Sequence, residues 1–223
     1  MTSSTGVLID LLDAEFSVLG HPILWREVVG NGFGLLSAIG GMRRVVWAWP
    51  VGIIGNALLF TVFLGGVFHT PQALDLYGQA GRQLMFIAVS VYGLVRWMRD
   101  SKRTGAAVLP RWGTARERTA MIVVAVLGTV VFAQLFGYLG SFGKWADAWI
   151  FTGSMLATFG MARGLTEFWL IWIAVDIVGV PLLIVAGFYP SAVLYLVYAA
   201  FVAWGFAVWF RVQNKNFGQK MAS

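Results

Sequence analysis

Seven long apolar stretches dominate this chain of 223 residues, and they constrain its fold more than any other feature. A helix needs about 20 apolar residues to cross the hydrocarbon core of a bilayer. The stretches meet or approach this length at residues 24–42, 45–68, 79–97, 119–138, 145–162, 166–186 and 191–211. Only 12% of the residues are charged, well below the ~25% of an average soluble domain. The sequence therefore predicts an all-α integral membrane protein with seven transmembrane helices.

The positive charges lie mostly on one side of these spans. Of the 16 Lys and Arg residues, all except Arg26, Arg82 and Lys144 fall in or beside the loops of that side. Cytoplasmic loops of membrane proteins are enriched in Lys and Arg, so this side is predicted to be cytoplasmic. The N-terminus is then outside and the C-terminus inside. Membrane orientation explains the net charge of +6 better than nucleic-acid binding, and we expect lipid but no nucleic acid as a partner.

Two motifs occur twice in the chain. The pattern G-x3-A-x2-G-M-x-R at residues 34–44 returns at 153–163, 119 positions later, and G-x3-W-x-R at 93–99 returns at 205–211, 112 positions later. Paired motifs in the same order indicate a duplicated three-helix unit, and one extra helix between the copies makes them parallel. The predicted order is an extracytoplasmic segment (1–22), a first unit (23–97), a basic cytoplasmic loop (98–118), a linker helix with its loop (119–144), a second unit (145–211) and a cytoplasmic tail (212–223).

The sixth span carries the most informative polar residue. Asp176 lies at its centre, where a charge is costly unless it faces the protein interior. Trp169, Trp172 and Asp176 are spaced i, i+3 and i+7 and share one helical face, which suits a flat aromatic ligand. The alternative is an interfacial belt of indoles with Asp176 bonded to a neighbouring helix. At the 119 offset the counterpart of Asp176 is Ala57, beside Asn56, so the polar positions match only approximately.

Two further aromatic and charged features have structural interpretations. Trp47 and Trp49 precede Pro50 at the cytoplasmic end of the second span, where they are predicted to belong to an interfacial belt. Glu167, close to Arg163, is predicted to be a helix-start or ion-pair residue.

Several classes of function lack their motifs. The chain contains no Cys, no phosphate-binding G-x4-G-K-[ST] sequence, and no Lys in the seventh span that could hold retinal. It offers no convincing acid–base pair, and the tail from residue 212 is too short for the effector domain of a receptor. We therefore expect neither an enzyme nor a bound cofactor or metal, and a transporter is the leading interpretation.

Residues 147–209 and 76–97 resemble the PnuC family of bacterial vitamin transporters, with E-x-W-x2-W-x3-D at 167–176 and YG-x3-W at 92–97. The family is similar in plan to the sugar-transporting SWEET proteins, with 3+1+3 helices. The resemblance implies facilitated diffusion of an uncharged vitamin across the bacterial inner membrane, trapping by a cytoplasmic kinase that phosphorylates it, and a homotrimer. A dependence of uptake on the proton gradient would instead point to Asp176 as a proton-coupling group.

The substrate is inferred from finer features of the same resemblance. RGLTEFW followed by VDIVGVPL, with VGN at 29–31 and RRVVWAWPV at 43–51, looks like the actinobacterial riboflavin branch (PnuX/RibM). Members that take up nicotinamide riboside read E-N-W and YGW where this chain has Phe168 and Leu94; Leu94 and Gly52 depart from the riboflavin pattern as well. Riboflavin is ranked first and nicotinamide riboside second. By resemblance, the substrate-binding residues are Trp169, Trp172, Asp176, Gln83 and Asn56.

Overall fold

A computed structural model describes residues 14–18, 21–63, 77–105, 107–140, 143–185 and 189–221. Seven helices occur in these residues, one at each predicted span, and the predicted helical fold is confirmed. They are α1 (Trp25–Met42), α2 (Ala48–Phe63), α3 (Tyr77–Thr104), α4 (Ala115–Tyr138), α5 (Lys144–Ala162), α6 (Glu167–Val185) and α7 (Tyr189–Met221). Residues 1–13 and the predicted ends of the second and sixth spans, Phe68 and Ala186, lie outside the described residues.

A short β-hairpin precedes α1, which the sequence did not predict. Strands β1 (Glu15–Val18) and β2 (His21–Leu24) pair in antiparallel register, with Glu15 opposite Leu24. The first span was expected to begin at Leu24, but Leu24 ends β2 and the helix begins at Trp25. A search for stretches of about 20 apolar residues does not detect a pair of four-residue strands, because their pattern repeats every two residues instead.

The helices differ from the predicted spans mainly at the basic side of the chain. Helix α3 continues to Thr104 and α7 to Met221, through residues that were assigned to the basic loop and the tail. Among the described residues, Ala115–Tyr138 and Tyr195–Lys215 are long and apolar enough to cross a membrane by length and composition alone, with mean hydropathies of 2.3 and 1.5. Helix α2 is strongly apolar but has only 16 residues.

The chain divides into two compact units, Met1–Leu94 and Val95–Ser223. In the first unit α1 packs along α2, and the two backbones come close at Gly30 and Gly55, where a Cβ on Gly55 would lie 2.8 Å from the carbonyl oxygen of Gly30. Small residues allow membrane helices to approach in this way. Trp49 of α2 is 1% exposed and lies against Gly93 of α3. The belt interpretation was therefore wrong for Trp49, which is a core residue, whereas Trp47 is exposed.

In the second unit each helix from α4 to α7 packs against the next one in the chain. Phe132 and Phe136 of α4 contact Phe151 of α5, with ring centroids 4.4 and 5.8 Å apart. The indole of Trp149 on α5 donates a hydrogen bond of 3.0 Å to the carbonyl oxygen of Ala174 on α6. The linker helix α4 thus packs on α5, and an indole fastens α5 to α6 two residues before Asp176.

The α1–α2 turn and the α5–α6 turn have the same backbone hydrogen bonds, with donors and acceptors numbered 120 higher in the second turn. The pairs, donor first, are Arg43–Ile39, Arg44–Gly41, Val45–Gly40, Ala48–Val45 and Trp49–Val46 in the first turn, and Arg163–Phe159, Gly164–Met161, Leu165–Gly160, Phe168–Leu165 and Trp169–Thr166 in the second. Each turn also has a residue with positive φ, Arg44 at 59° and Gly164 at 70°. The two turns therefore match at an offset of 120, one more than the 119 that the repeated motif suggested.

Candidate functional site

The face of α6 that carries Trp169, Trp172 and Asp176 is mostly buried within the second unit. Trp169 is 4% exposed and Asp176 8%, whereas Trp172 is half-buried. Two polar atoms on this face, Trp169 Nε1 and Asp176 Oδ2, are buried without a hydrogen-bond partner among the described residues. Leaving such a group unsatisfied costs about 1–3 kcal/mol. A group that bonded to both atoms would remove this cost.

The Trp169 indole is held in an aromatic cluster. Its ring lies 4.3 Å from Phe168 and 6.2 Å from Trp209 of α7, and Phe168 meets Trp209 edge-on at 4.9 Å. Phe168 and Trp209 are fully buried. Tilted and edge-on aromatic pairs contribute about 0.5–1.5 kcal/mol beyond the apolar area that they bury. The cluster therefore fixes the orientation of Trp169 at the start of α6.

The other two predicted site residues belong to the first unit. Gln83 on α3 is buried, and Asn56 on α2 is half-buried. The structure therefore places Trp169, Trp172 and Asp176 on one face of α6, whereas the two amides lie on helices of the first unit. A role for Gln83 and Asn56 at the same site stays a prediction.

A network of ion pairs lies just before this face in α6, and Glu117 is at its centre. Arg111 donates two hydrogen bonds to the Glu117 carboxylate, at 2.7 and 2.8 Å, and Arg163 donates a third at 2.9 Å. The hydrogen bonds from Arg111 to Glu117 raise the pKa of the Arg111 guanidinium above its ordinary value. Glu117 also forms a capping box with Thr114 at the start of α4. One carboxylate therefore joins the loop before α4, the helix start and the α5–α6 turn.

Glu167 forms the second half of the network. Its carboxylate accepts a hydrogen bond of 2.7 Å from Arg118 Nε and bonds of 2.8 and 3.0 Å from the backbone N–H of Gly113. The prediction that Glu167 is an ion-pair residue is confirmed, but its partner is Arg118, whereas Arg163 pairs with Glu117. Glu167 is separated from Trp169 by one residue, so these bonds fix the end of the helix that carries the indole.

The segment at residues 107–114 lies against the same end of the second unit. Arg111 forms a parallel bridge with Leu165, through a hydrogen bond from Arg111 N–H to Gly164 O (3.0 Å) and one from Thr166 N–H to Arg111 O (2.8 Å). Gly164 is required there, because its φ is positive and a Cβ would lie 3.1 Å from the carbonyl oxygen of Leu109. Trp112 packs edge-on against Phe210 of α7, with the centroids 6.3 Å apart.

Sequence reasoning predicted Glu167 as an ion-pair residue but missed the rest of this network, although part of its signal was present. The sequence T-x-x-E at 114–117 is a capping-box pattern and predicts the helix start that the structure has. The pairing of Glu117 with Arg163 has no local signature, because the two residues are 46 positions apart in the sequence. Within the described parts of the chain, no group of three His, Asp or Glu side chains could hold a metal ion.

Comparison with known proteins identifies the family. Residues 24–211 match the family model described as nicotinamide mononucleotide transporter, which covers most of the chain. The chain belongs to the PnuC transporter family. The resemblance seen in its motifs is thereby confirmed, and family membership makes it a multi-pass membrane protein.

Two curated relatives and one solved structure are similar to this PnuC family member. The riboflavin/roseoflavin transporter RibM of Streptomyces davaonensis is 39% identical over 197 residues, 87% of this chain and 88% of RibM. The nicotinamide riboside transporter PnuC of Escherichia coli is 22% identical over 216 residues, 85% of this chain and 87% of that protein. A crystal structure of the vitamin B3 transporter PnuC has a TM-score of 0.66 at 22% identity and covers 86% of this chain and 83% of its own. The relatives are transporters, which confirms that this chain is not an enzyme.

Glu117→Ala should lower the stability of the second unit of this PnuC family member. The substitution removes the shared partner of Arg111 and Arg163 and the Glu117 half of the capping box, and a cap alone contributes ~1 kcal/mol. Because the ion pairs are partly exposed, we expect a total loss of about 2 kcal/mol. The measurement is thermal unfolding of the purified protein in detergent.

Arg116→Ala is the matched control, because Arg116 is exposed in the same helical turn and has no described partner. It should leave the midpoint of unfolding unchanged. Equal midpoints for Glu117→Ala and the wild-type protein would show that the contacts of Glu117 contribute nothing to stability.

Proposed function

We propose that this chain takes up riboflavin across the bacterial inner membrane by facilitated diffusion, and that intracellular phosphorylation then traps the vitamin. The observation that carries the proposal is the buried α6 face, which holds two indoles and a carboxylate and has two buried polar atoms without a partner among the described residues. Trp169, Trp172 and Asp176 are the proposed substrate contacts, and the resemblance to the family adds Gln83 and Asn56 to the proposed set.

The chemistry of this face fits a flavin. Flat aromatic rings stack on indoles, and a buried carboxylate accepts hydrogen bonds from an imide N–H or from the hydroxyls of a polyol chain. Trp169 and Asp176 are seven residues apart, which is ~10 Å along a helix that rises ~1.5 Å per residue. The face can therefore bind an elongated ligand at both of its ends. The 39% identity with the riboflavin/roseoflavin transporter RibM supports the same choice.

Nicotinamide riboside is the second candidate. The family model and the relatives at 22% identity carry the name of a nicotinamide nucleotide or nucleoside as their substrate. Its single ring could stack on one indole, and its carboxamide N–H and ribose hydroxyls could donate to Asp176. Phe168 favours riboflavin, because its ring packs against Trp169 and Trp209. It supplies no polar group at the position where the nicotinamide riboside pattern E-N-W has Asn.

We also propose the 3+1+3 arrangement, in which all seven helices cross the membrane and α4 links two parallel three-helix units. The 120 offset of the two turns supports it. If this register continues along the unbroken helices, Trp49 corresponds to Trp169 and Asn56 to Asp176, so the polar positions coincide instead of differing by one. The N-terminus is proposed to be outside and the C-terminus cytoplasmic, as the loop charges indicate, and the resemblance to the family supports a homotrimer.

Expression of the chain in a riboflavin-auxotrophic bacterium without its own transporter should restore growth on low riboflavin and uptake of labelled riboflavin. Because facilitated diffusion uses no ion gradient, initial uptake should be unchanged when the proton gradient is collapsed. Loss of initial uptake with the gradient would instead assign proton coupling to the transporter. Rescue of a nicotinamide riboside auxotroph by the chain, without rescue of the riboflavin auxotroph, would make nicotinamide riboside the first candidate substrate.

A further inference from the structure

We infer that Gly205 of α7 is a positioning residue of the proposed site, because its missing side chain lets the Trp169 indole lie against the α7 backbone. The inference deepens the proposed function and rests on it. Gly205 touches Trp169 and acts through it, so its role is to position the indole.

The contact between Gly205 and Trp169 leaves no room for a methyl group. A Cβ built at Gly205 would lie against three atoms of the six-membered ring of Trp169, with Cζ3 at 2.5 Å and Cζ2 at 2.6 Å. Cβ atoms in proteins do not approach other atoms this closely, so either the ring or α7 has to move. The ring is rigid, and Phe168 and Trp209 also contact it. We therefore expect an added methyl group to change the position of the indole relative to α7.

The same contact occurs in the first unit. A Cβ on Gly93 of α3 would lie 2.5 Å from Cη2 of Trp49 on α2. Trp49 and Trp169 are equivalent at the offset of the two turns, and Gly93 and Gly205 each begin a G-x3-W motif. An indole resting on a glycine of the third helix is thus a feature of both units. Gly34 of α1 is not packed in this way, since a Cβ there would have no atom within 4 Å.

Displacement of the indole should weaken riboflavin binding. If Trp169 stacks on the ring system of the substrate, a shift of the indole disturbs that contact. The expected effect of a larger residue at position 205 is therefore a loss of riboflavin affinity that depends on the presence of the indole.

The test is a double-mutant cycle with riboflavin binding to purified protein, measured by quenching of flavin fluorescence. Gly205→Ala should raise the Kd for riboflavin at least tenfold in the wild-type background and less than twofold in the Trp169→Phe background, because Phe lacks the ring atoms that meet the added Cβ. Gly34→Ala is the matched control and should leave the Kd within twofold of the wild-type value. An equal rise in both backgrounds would overturn the inference and make Gly205 a packing residue of α7.

A second measurement does not depend on binding. The contribution of Trp169 to the near-ultraviolet circular dichroism, taken as the difference between wild-type and Trp169→Phe protein, should change when Gly205→Ala is introduced. An unchanged contribution would mean that the indole does not move, and the inference would fail. The proposed function fails separately, if wild-type protein does not bind riboflavin at all.

Discussion

Asp176→Ala should raise the Kd for riboflavin by roughly 10- to 100-fold, since a hydrogen bond to a charged group contributes ~1.5–3 kcal/mol and 1.4 kcal/mol is a factor of ten. The reason is the position of the carboxylate. It is 8% exposed, and its Oδ2 atom has no partner among the described residues, so the ligand is proposed to supply that partner. Titration of purified protein, read by flavin fluorescence, measures the effect.

Two further variants separate the role of the carboxylate from a general disturbance of α6. Asp176→Asn keeps the shape and one acceptor oxygen, and its Kd should fall between those of the wild-type and Ala proteins. Ile177→Ala alters the neighbouring residue, which is 68% exposed and lies off the proposed face, and it should leave the Kd within twofold. Wild-type affinity in Asp176→Ala would remove Asp176 from the site and leave it as an interhelical structural residue.

Trp169→Ala should have the largest combined effect on stability and binding. Removing a buried aromatic side chain costs about 3–5 kcal/mol when the cavity is not refilled, and the surrounding Phe168 and Trp209 rings would lose a packing partner. The same substitution removes the proposed stacking surface, so the Kd for riboflavin should rise more than tenfold. Thermal unfolding in detergent and flavin titration below the unfolding temperature measure the two effects separately.

Trp169→Phe keeps an aromatic ring at the position and should retain measurable riboflavin binding with a smaller loss of stability. Trp145→Ala is the control for loss of an indole, because Trp145 at the start of α5 is 52% exposed. It should leave the midpoint of unfolding unchanged and the Kd within twofold of the wild-type value. Full riboflavin affinity in a folded Trp169→Ala protein would restrict Trp169 to the core.

The ion-pair network and the candidate site meet at the start of α6. Glu167 accepts hydrogen bonds from Arg118 and Gly113, and Trp169 follows it two residues later on the same helix. The loop before α4 is thereby attached to the helix that carries the proposed stacking residue. The stability of Glu117→Ala therefore tests the ion pairs beside the start of α6, and the affinity of Trp169→Phe tests the proposed substrate contact on the same helix.

The sequence predicted the helices well, because a membrane span must be long and apolar and such stretches are easily recognised in a sequence. It also predicted the α6 face, since a charge at the centre of an apolar helix and its i, i+3 and i+7 neighbours are visible in one dimension. It placed Trp49 in an interfacial belt because an indole near a helix end is typical of both belt and core residues. Only the packing of Gly93 against it distinguished the two.

The motif that repeats in the chain gave an offset of 119, whereas the hydrogen bonds of the two turns give 120. A motif aligns residue types, but backbone hydrogen bonds align positions, and a change of one residue in the offset makes Asn56 instead of Ala57 the counterpart of Asp176 in the proposed repeat. The family motifs and the apolar stretches thus determined by themselves that the chain is a helical membrane transporter of the PnuC family. The pairing of Glu117 with Arg163, the pairing of Glu167 with Arg118 and the contact of Trp169 with Gly205 were decided only by tertiary structure, because they join residues that are far apart in the sequence and whose spacing carries no signal.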